Sequence, residues 1–255
     1  MNRGKIIGAI VLIVAVGLII VQLSGGPEEA NSDAISAGPD ADVLAQADTA
    51  AGDGVVAQAA DTGTRIYTVD AAGSEVYWRI YKAGLMARFG HNHVISVGDL
   101  EGSIAHAGDP SASEWTLSFR VAELNIDDPD IRARYGEDFE SVPSEDDIAG
   151  TRSNMLTPDV LDGEVYPAIS LSGSGFGGTP GNARIPVSIA LLGRTIEQEF
   201  PAAIEISDDE ITISGEYRLT HEDLGMTPFK ALGGALSVAD EFDFSYRIRA
   251  VAGGR

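Results

Sequence analysis

The sequence predicts an all-β domain, an antiparallel sandwich or closed barrel of about eight strands with a short helical insertion, preceded by one N-terminal transmembrane helix and a disordered linker. Three observations carry this. From Thr64 onward apolar and polar residues alternate at period two. The alternating runs are separated by Gly, Pro and Asp turns. One stretch, residues 144–163, breaks the period and shows capping residues and helical spacing.

In chain order, Arg3 and Lys5 precede Ile6–Leu23, an 18-residue run without charge. As a helix it is about 27 Å long, close to the roughly 30 Å of bilayer hydrocarbon. Positive charge before the run, and Glu28 and Glu29 after it, keep the N-terminus cytoplasmic and send the rest across. A cleaved signal peptide would have a shorter apolar core, about 7–15 residues, ending in small residues of A-x-A type; "VQLSGGPEEA" offers a poor site. The expectation is a retained anchor over residues 1–23, a single pass through the cell inner membrane, and a periplasmic folded domain.

Residues 24–62 contain no Lys, Arg or aromatic residue and eight acids. Such a segment cannot bury enough apolar area to offset its ordering entropy, and its charges repel one another. It reads as an acidic disordered linker, leaving residues 63–255 as the folded domain.

The whole chain has a net charge of −22, and residues 63–255 keep 31 acids against 15 bases, a net −16. This excludes the basic footprint of a nucleic-acid binder. It also opposes adhesion to anionic lipid headgroups. The absence of cysteine excludes disulfides, thiolate catalysis and thiolate metal sites.

Within the folded part, "SEVYWRIYK" puts Val76, Trp78 and Ile80 on one face and Tyr77, Arg79 and Tyr81 on the other. "EWTLSFRV" alternates Trp115, Leu117, Phe119 and Val121 against polar partners. "RIPVSIALLG" aligns Ile185, Val187, Ile189 and Leu191; "EITISGEYRLT" aligns Ile211, Ile213, Gly215, Tyr217 and Leu219; "EFDFSYRIRA" aligns Phe242, Phe244, Tyr246 and Ile248. Such strands have one dry and one wet face. In the helical stretch, Ser144 and Asp147 form a capping box, and "TPDVLDG" offers Thr157 as a second N-cap, Pro158 at the first helical position and Gly163 as a stop.

Motifs of known chemistry fail on inspection. "GSGFGG" fits G-x-G-x-x-G, but it is followed by prolines and a strand instead of the helix that would hold a pyrophosphate, so it reads as a hairpin loop. "HEDLG" has Gly225 where a zincin needs its second histidine. "NIDDPDIR" lacks the glycine of a calcium loop, and it and the run "GEDFESVPSEDD" read as solvated acidic loops. No cofactor is expected.

The histidines are the open question. Two of the chain's four form "HNH", His91 and His93. If extended, they share a face with Cα atoms roughly 6.6 Å apart, a spacing that suits two zinc ligands with His221 or an acid as the third. If Gly90 and Asn92 make a turn, the rings point apart and each is a local hydrogen-bonding group. A structural or cavity-mouth role is the expectation. A histidine-dependent metal-binding protein or metal-dependent enzyme on the same scaffold is the alternative.

The order of motifs resembles that of the YceI-like polyisoprenoid-binding proteins. The residues concerned are Tyr67, Asp70, Ser74, Val76 and Trp78 in "YTVDAAGSEVYWRIYKAG", then Gly102 and Ile104 in "GDLEGSI". Next come Tyr166, Pro167 and Ile169 in "SNMLTPDVLDGEVYPAISLSGSG", and Asp223, Leu224 and Gly225 in "LTHEDLGM". The likeness spans about 64–252. It implies a lipocalin-like barrel that holds a long-chain isoprenoid or related lipid, an isoprenoid quinone among the candidates, and implies no catalytic residues. The residues then expected to line the lumen are Trp78, Ile80, Trp115, Leu117, Phe119, Val187, Ile189, Tyr217, Phe244 and Tyr246, with Met155 and Leu156 of the insertion closing one end.

Overall fold

The computed structural model describes residues 63–179 and 182–253. The anchor expected at 1–23 and the linker expected at 24–62 lie outside them. Among the described residues no helix is long and apolar enough to cross a membrane.

The strands are β1 (Arg65–Val69), β2 (Glu75–Ala83), β3 (His93–Ser96), β4 (Glu101–His106), β5 (Glu114–Arg120), β6 (Asn125–Ile126), β7 (Ala168–Ser174), β8 (Gly177–Thr179), β9 (Asn182–Leu191), β10 (Arg194–Ile206), β11 (Glu210–Thr220), β12 (Lys230–Ala231) and β13 (Leu236–Ala252). Two α-helices, α1 (Pro129–Arg132) and α2 (Glu145–Met155), lie between β6 and β7. Every strand pair is antiparallel.

The order β1-β4-β5-β7-β9-β10-β11-β13 returns to β1, so the sheet closes into a barrel of eight strands. The first three are each in two pieces. Beyond a 3-10 turn at Ala71–Gly73 the chain of β1 continues as β2; β3 runs on into β4; β5 continues as β6 beyond a 3-10 turn at Val121–Glu123. The seventeen-residue β13 pairs with β11 along one edge. Along the other it pairs first with β2 and then, for Ala250–Ala252, with β1. The eight strands predicted from alternation are therefore present, and closure leaves the ring without a free edge.

Inward residues form the core. Val76, Ile104, Trp115, Phe119, Ile185, Val187, Ile189, Phe200, Ile213, Leu219, Phe244 and Ile248 are all buried. Each side chain of this size contributes about 1.5–3 kcal/mol when removed from water.

The outer face departs from expectation at β2 and β3. Tyr77, Val94 and Phe139 form a second buried cluster, with Tyr81, Ile131 and Tyr135 packed on it. The α1 segment and the 3-10 stretch Ala133–Phe139 supply this cover. The supposed wet face of β2 is thus dry: the Tyr77 hydroxyl meets that of Tyr135, Arg79 lies over the Tyr135 ring at 4.4 Å, and Tyr81 donates to Asp243 at 2.7 Å.

The insertion is half as expected. Helix α2 begins on the capping box, Ser144 Oγ accepting from Asp147 N–H and Asp147 from Ser144 N–H. "TPDVLDG" is a turn, not a helix. The Val160 and Asp162 amides both donate to the Thr157 carbonyl, and Asp162 takes φ +44°. The chain must fold back within a few residues to bring Val160 and Leu161 to the barrel.

Candidate functional site

Two adjoining cavities occupy the barrel. The inner one, about 120 Å³, is walled by Val76, Trp78, Trp115, Leu117, Phe119, Ile185, Val187, Phe200, Phe244, Tyr246 and similar side chains. Its lining residues carry three polar side-chain atoms, the indole nitrogens of Trp78 and Trp115 and the Tyr246 hydroxyl. The Tyr246 hydroxyl donates to the Pro201 carbonyl at 2.6 Å, and burial pushes that phenol up to about 12. Trp115 Nε1 is buried without a partner among the described residues. Gly215 has no side chain because one would stand 2.6 Å from the Tyr246 hydroxyl. Rings are stacked through this wall: Trp78 on Phe244 at 5.4 Å and Phe244 on Tyr246 at 5.3 Å between centroids.

The outer cavity, about 340 Å³, is the mouth. Ile80, Met155, Val160, Leu161, Met226, Phe229, Leu236 and Phe242 form its apolar walls. Lys82, His91, His93, His221, Thr151, Asn154, Thr227 and Ser237 supply polar groups, and among the described residues no Asp or Glu lines it. Trp78, Ile169, Leu191 and Leu224 belong to both cavities and form the neck between them.

Most residues singled out in the sequence come together here. Trp115, Leu117, Phe119, Val187, Ile189, Phe244 and Tyr246 line the inner cavity, Ile80 and Met155 the mouth, and Trp78 both. Two line neither cavity. Leu156 follows α2 and packs beside Gly163, where an added Cβ would meet its Cδ2 at 2.8 Å. The Tyr217 ring rests on Phe200 at 5.5 Å, so Phe200 takes the lumen position. Period two does not single out Phe200, because "RTIEQEFPAA" interrupts its alternation with Gln198. Ile169 and Leu224, at the neck, stand in the family motifs but not on the longest apolar runs.

At the mouth, residues 91–93 have His91 and His93 on one side, ring centroids 6.4 Å apart, and Asn92 on the other. Asn92 is buried; it accepts from the Lys82 amide at 3.0 Å and donates to the Asp138 carbonyl at 2.8 Å. Each histidine spends Nδ1 on the protein. His91 Nδ1 lies 2.9 Å from Ser141 Oγ, His93 Nδ1 2.7 Å from Asp127 Oδ2, and His221 Nδ1 2.8 Å from the Asp240 carbonyl. A carboxylate only accepts, so His93 carries its proton on Nδ1 and turns Nε2 towards Thr151 Oγ1 at 3.5 Å. Among the described residues no group of three His, Asp or Glu side chains converges as a metal site.

Asp127 corrects the reading of "NIDDPDIR" as a solvated loop. Its side chain is buried, its φ is +59°, and it accepts from Val94 N–H at 2.9 Å and from Arg132 at 2.5 Å as well as from His93. Arg132, itself buried, also donates to the carbonyls of Asn92, Phe139 and Ser141. Burial pushes the Asp127 carboxyl up, but the His93 hydrogen bond and charge, the Val94 amide and Arg132 outweigh it and hold it below the usual carboxylate range. Asp147 is also held low, first by the Ser144 hydroxyl and amide.

Several solved structures are similar to this chain. BcnA of Burkholderia cenocepacia superposes with a TM-score of 0.51 at 14% identity, covering 71% of this chain and 99% of that one. A polyisoprenoid-binding domain from Saccharophagus degradans gives 0.47 at 13% identity, covering 73% and 98%. The YCEI protein of Campylobacter jejuni gives 0.44 at 11%, covering 63% and 85%. No curated protein matches the chain. The family model of the YceI-like domain matches residues 67–250. The closed eight-stranded barrel and this match lead to one conclusion: the chain belongs to the YceI-like domain family.

Proposed function

We propose that the chain binds and carries one long apolar molecule in the barrel lumen, a long-chain isoprenoid or related lipid, with isoprenoid quinones among the candidates, and does so without converting it. The observation that carries this reading is the lumen itself: an inner cavity with almost wholly apolar walls that adjoins a larger apolar mouth through a neck of four side chains. Burying a few hundred Å² of apolar ligand surface at about 25 cal/mol per Å² gives several kcal/mol before ordering costs. Family membership supports the same reading. The test is mass spectrometry of an organic extract of the purified full-length protein. A long-chain isoprenoid in near-stoichiometric amount is expected; an extract with no isoprenoid, quinone or fatty chain overturns the proposal.

We also propose that the barrel works at the outer face of the inner membrane, held by residues 1–23. The support is the uncharged run Ile6–Leu23 behind Arg3 and Lys5. Intact protein released by washing membranes, or a mature N-terminus between residues 20 and 35, overturns it.

A further inference from the structure

The lip of the mouth carries apolar side chains that the fold leaves uncovered. Leu85 is 96% exposed, Phe89 54% and Leu232 59%. The first two lie on the loop between β2 and β3, the third on the loop between β12 and β13. These loops are joined, since Met86 N–H donates to the Ala235 carbonyl at 2.8 Å. A Cβ at Gly84 would stand 2.5 Å from the same oxygen, so glycine permits the approach. Gly90, Phe229 and Leu236, on or next to the two loops, wall the mouth. Leu232 takes φ +51°, a backbone conformation that disfavours a branched side chain, and holds an apolar group in water there.

Charge is segregated on this lip. Residues 76–98 and 224–239 contain no Asp or Glu, in a folded region that has 31. The same two stretches hold both lysines of that region, Lys82 and Lys230, and Arg88 is exposed between Leu85 and Phe89. The two loops are therefore basic within a domain of net −16, while Asp147 beside His91 and Asp240 beside His221 come to the mouth from other segments.

We propose that this lip docks on an anionic bilayer, with Leu85, Phe89 and Leu232 entering the boundary between headgroups and acyl chains and Arg88 and Lys230 facing lipid phosphates. Apolar tips interleaved with basic residues are the pattern of interfacial membrane binding. A two-fold contact with a second copy would set Arg88 and Lys230 against themselves, which the charge pattern opposes. The docked lip would open the apolar mouth towards the acyl region, from which a chain could pass to the lumen without crossing water.

The chain has no cysteine, so Leu85→Cys or Asp208→Cys in the full-length protein takes a single environment-sensitive fluorophore. Asp208 lies between β10 and β11, beside the C-terminal end of β13 and away from the lip. Each protein is reconstituted into phosphatidylcholine vesicles, with or without phosphatidylglycerol, containing nitroxide-labelled lipid. Quenching is expected at position 85 and not at 208, greater with phosphatidylglycerol, and reduced severalfold by Arg88→Glu with Lys230→Glu. Equal quenching at both positions, or none at 85, overturns the proposal. So does shielding of position 85 that grows with protein concentration in the absence of vesicles, which would assign the lip to a second copy. The readout does not involve the lumen. A protein that docks but carries no lipid fails the carrier reading alone, and one that carries lipid but does not dock fails this proposal alone.

Discussion

His93 and Asp127 meet at 2.7 Å, and the carboxylate that fixes the His93 ring at the mouth also holds Arg132 under the cover of the outer sheet face. One buried ion pair thus links the cavity rim to the segment that dries β2 and β3. Replacing Asp127 with Ala leaves Arg132 buried and uncompensated, and is expected to cost about 3–5 kcal/mol in urea unfolding. The Asp127 carboxyl is depressed in the folded state, so its contribution is fully present above its ordinary value of 3.8 and is lost as pH falls through the lower folded value. Acid titrations of wild type and Asp127→Asn should therefore converge at low pH; parallel curves would refute the role.

Filling the neck should separate binding from folding. Ile169→Trp places a larger ring where the two cavities adjoin. Lipid recovered by extraction should fall at least tenfold, while thermal unfolding of the lipid-free protein shifts by no more than about 1–3 kcal/mol. Undiminished lipid would mean that the ligand does not pass this point.

Both tryptophans of the chain, Trp78 and Trp115, wall the inner cavity. Ligand entry should therefore quench or blue-shift intrinsic emission, and a quinone-bearing chain should quench it strongly. Trp78→Phe should remove a large part of the signal. Tryptophan emission that stays unchanged while lipid-free protein takes up ligand to saturation would place the ligand elsewhere.

Loss of the α2 cap should loosen the mouth. Ser144→Ala removes the hydroxyl that accepts from Asp147 N–H, worth about 1 kcal/mol of helix stability. Met155, at the far end of that helix, lines the mouth. Faster hydrogen exchange in residues 145–155 and a faster ligand off-rate are expected, with little change in the barrel strands.

His91→Ala with His93→Ala addresses the alternative of a histidine-dependent metal site. Bound zinc in purified protein should be the same in wild type and variant, because among the described residues no third His, Asp or Glu converges with the pair to complete a ligand set. The variant should lose about 1–3 kcal/mol, because the buried Asp127 Oδ2 is left without its His93 partner while Oδ1 keeps Val94 and Arg132. Stoichiometric zinc that disappears in the variant would establish the metal reading.

Much of the barrel was legible because period two survives wherever one face is buried and the other wet. The Val187–Ile189 and Phe244–Tyr246 pairs show this, and both line the lumen. Where that premise fails, so does the reading. Tyr77 and Tyr81 alternate correctly, but a segment remote in sequence covers them. Asp127 sits in an acidic run, and composition cannot distinguish one buried carboxylate among solvated ones; its partners, His93 and Arg132, are fixed only by the fold. Thr157–Gly163 has every helix signal, yet tertiary demand for a tight return overrides them. The mouth was hardest to see, since it is assembled from loops and strand ends that carry no period.

The ring is sealed along β13, which pairs with β2 from Ser237 to Arg247 and then, at Ala250, Val251 and Ala252, with Val69, Thr68 and Tyr67 of β1. Contacts of such long sequence separation form late in folding, because loop-closure entropy must be met before they add stability. Until the final strand is synthesised the sheet is an open trough with two bare edges. The enclosed space is then created by the C-terminal end, so a cargo already lying in the trough is wrapped, not threaded. Removing the whole of β13 would leave a gutter in place of a vessel, whereas removing only Ala250–Ala252 would fray one end of a seam still held by β2.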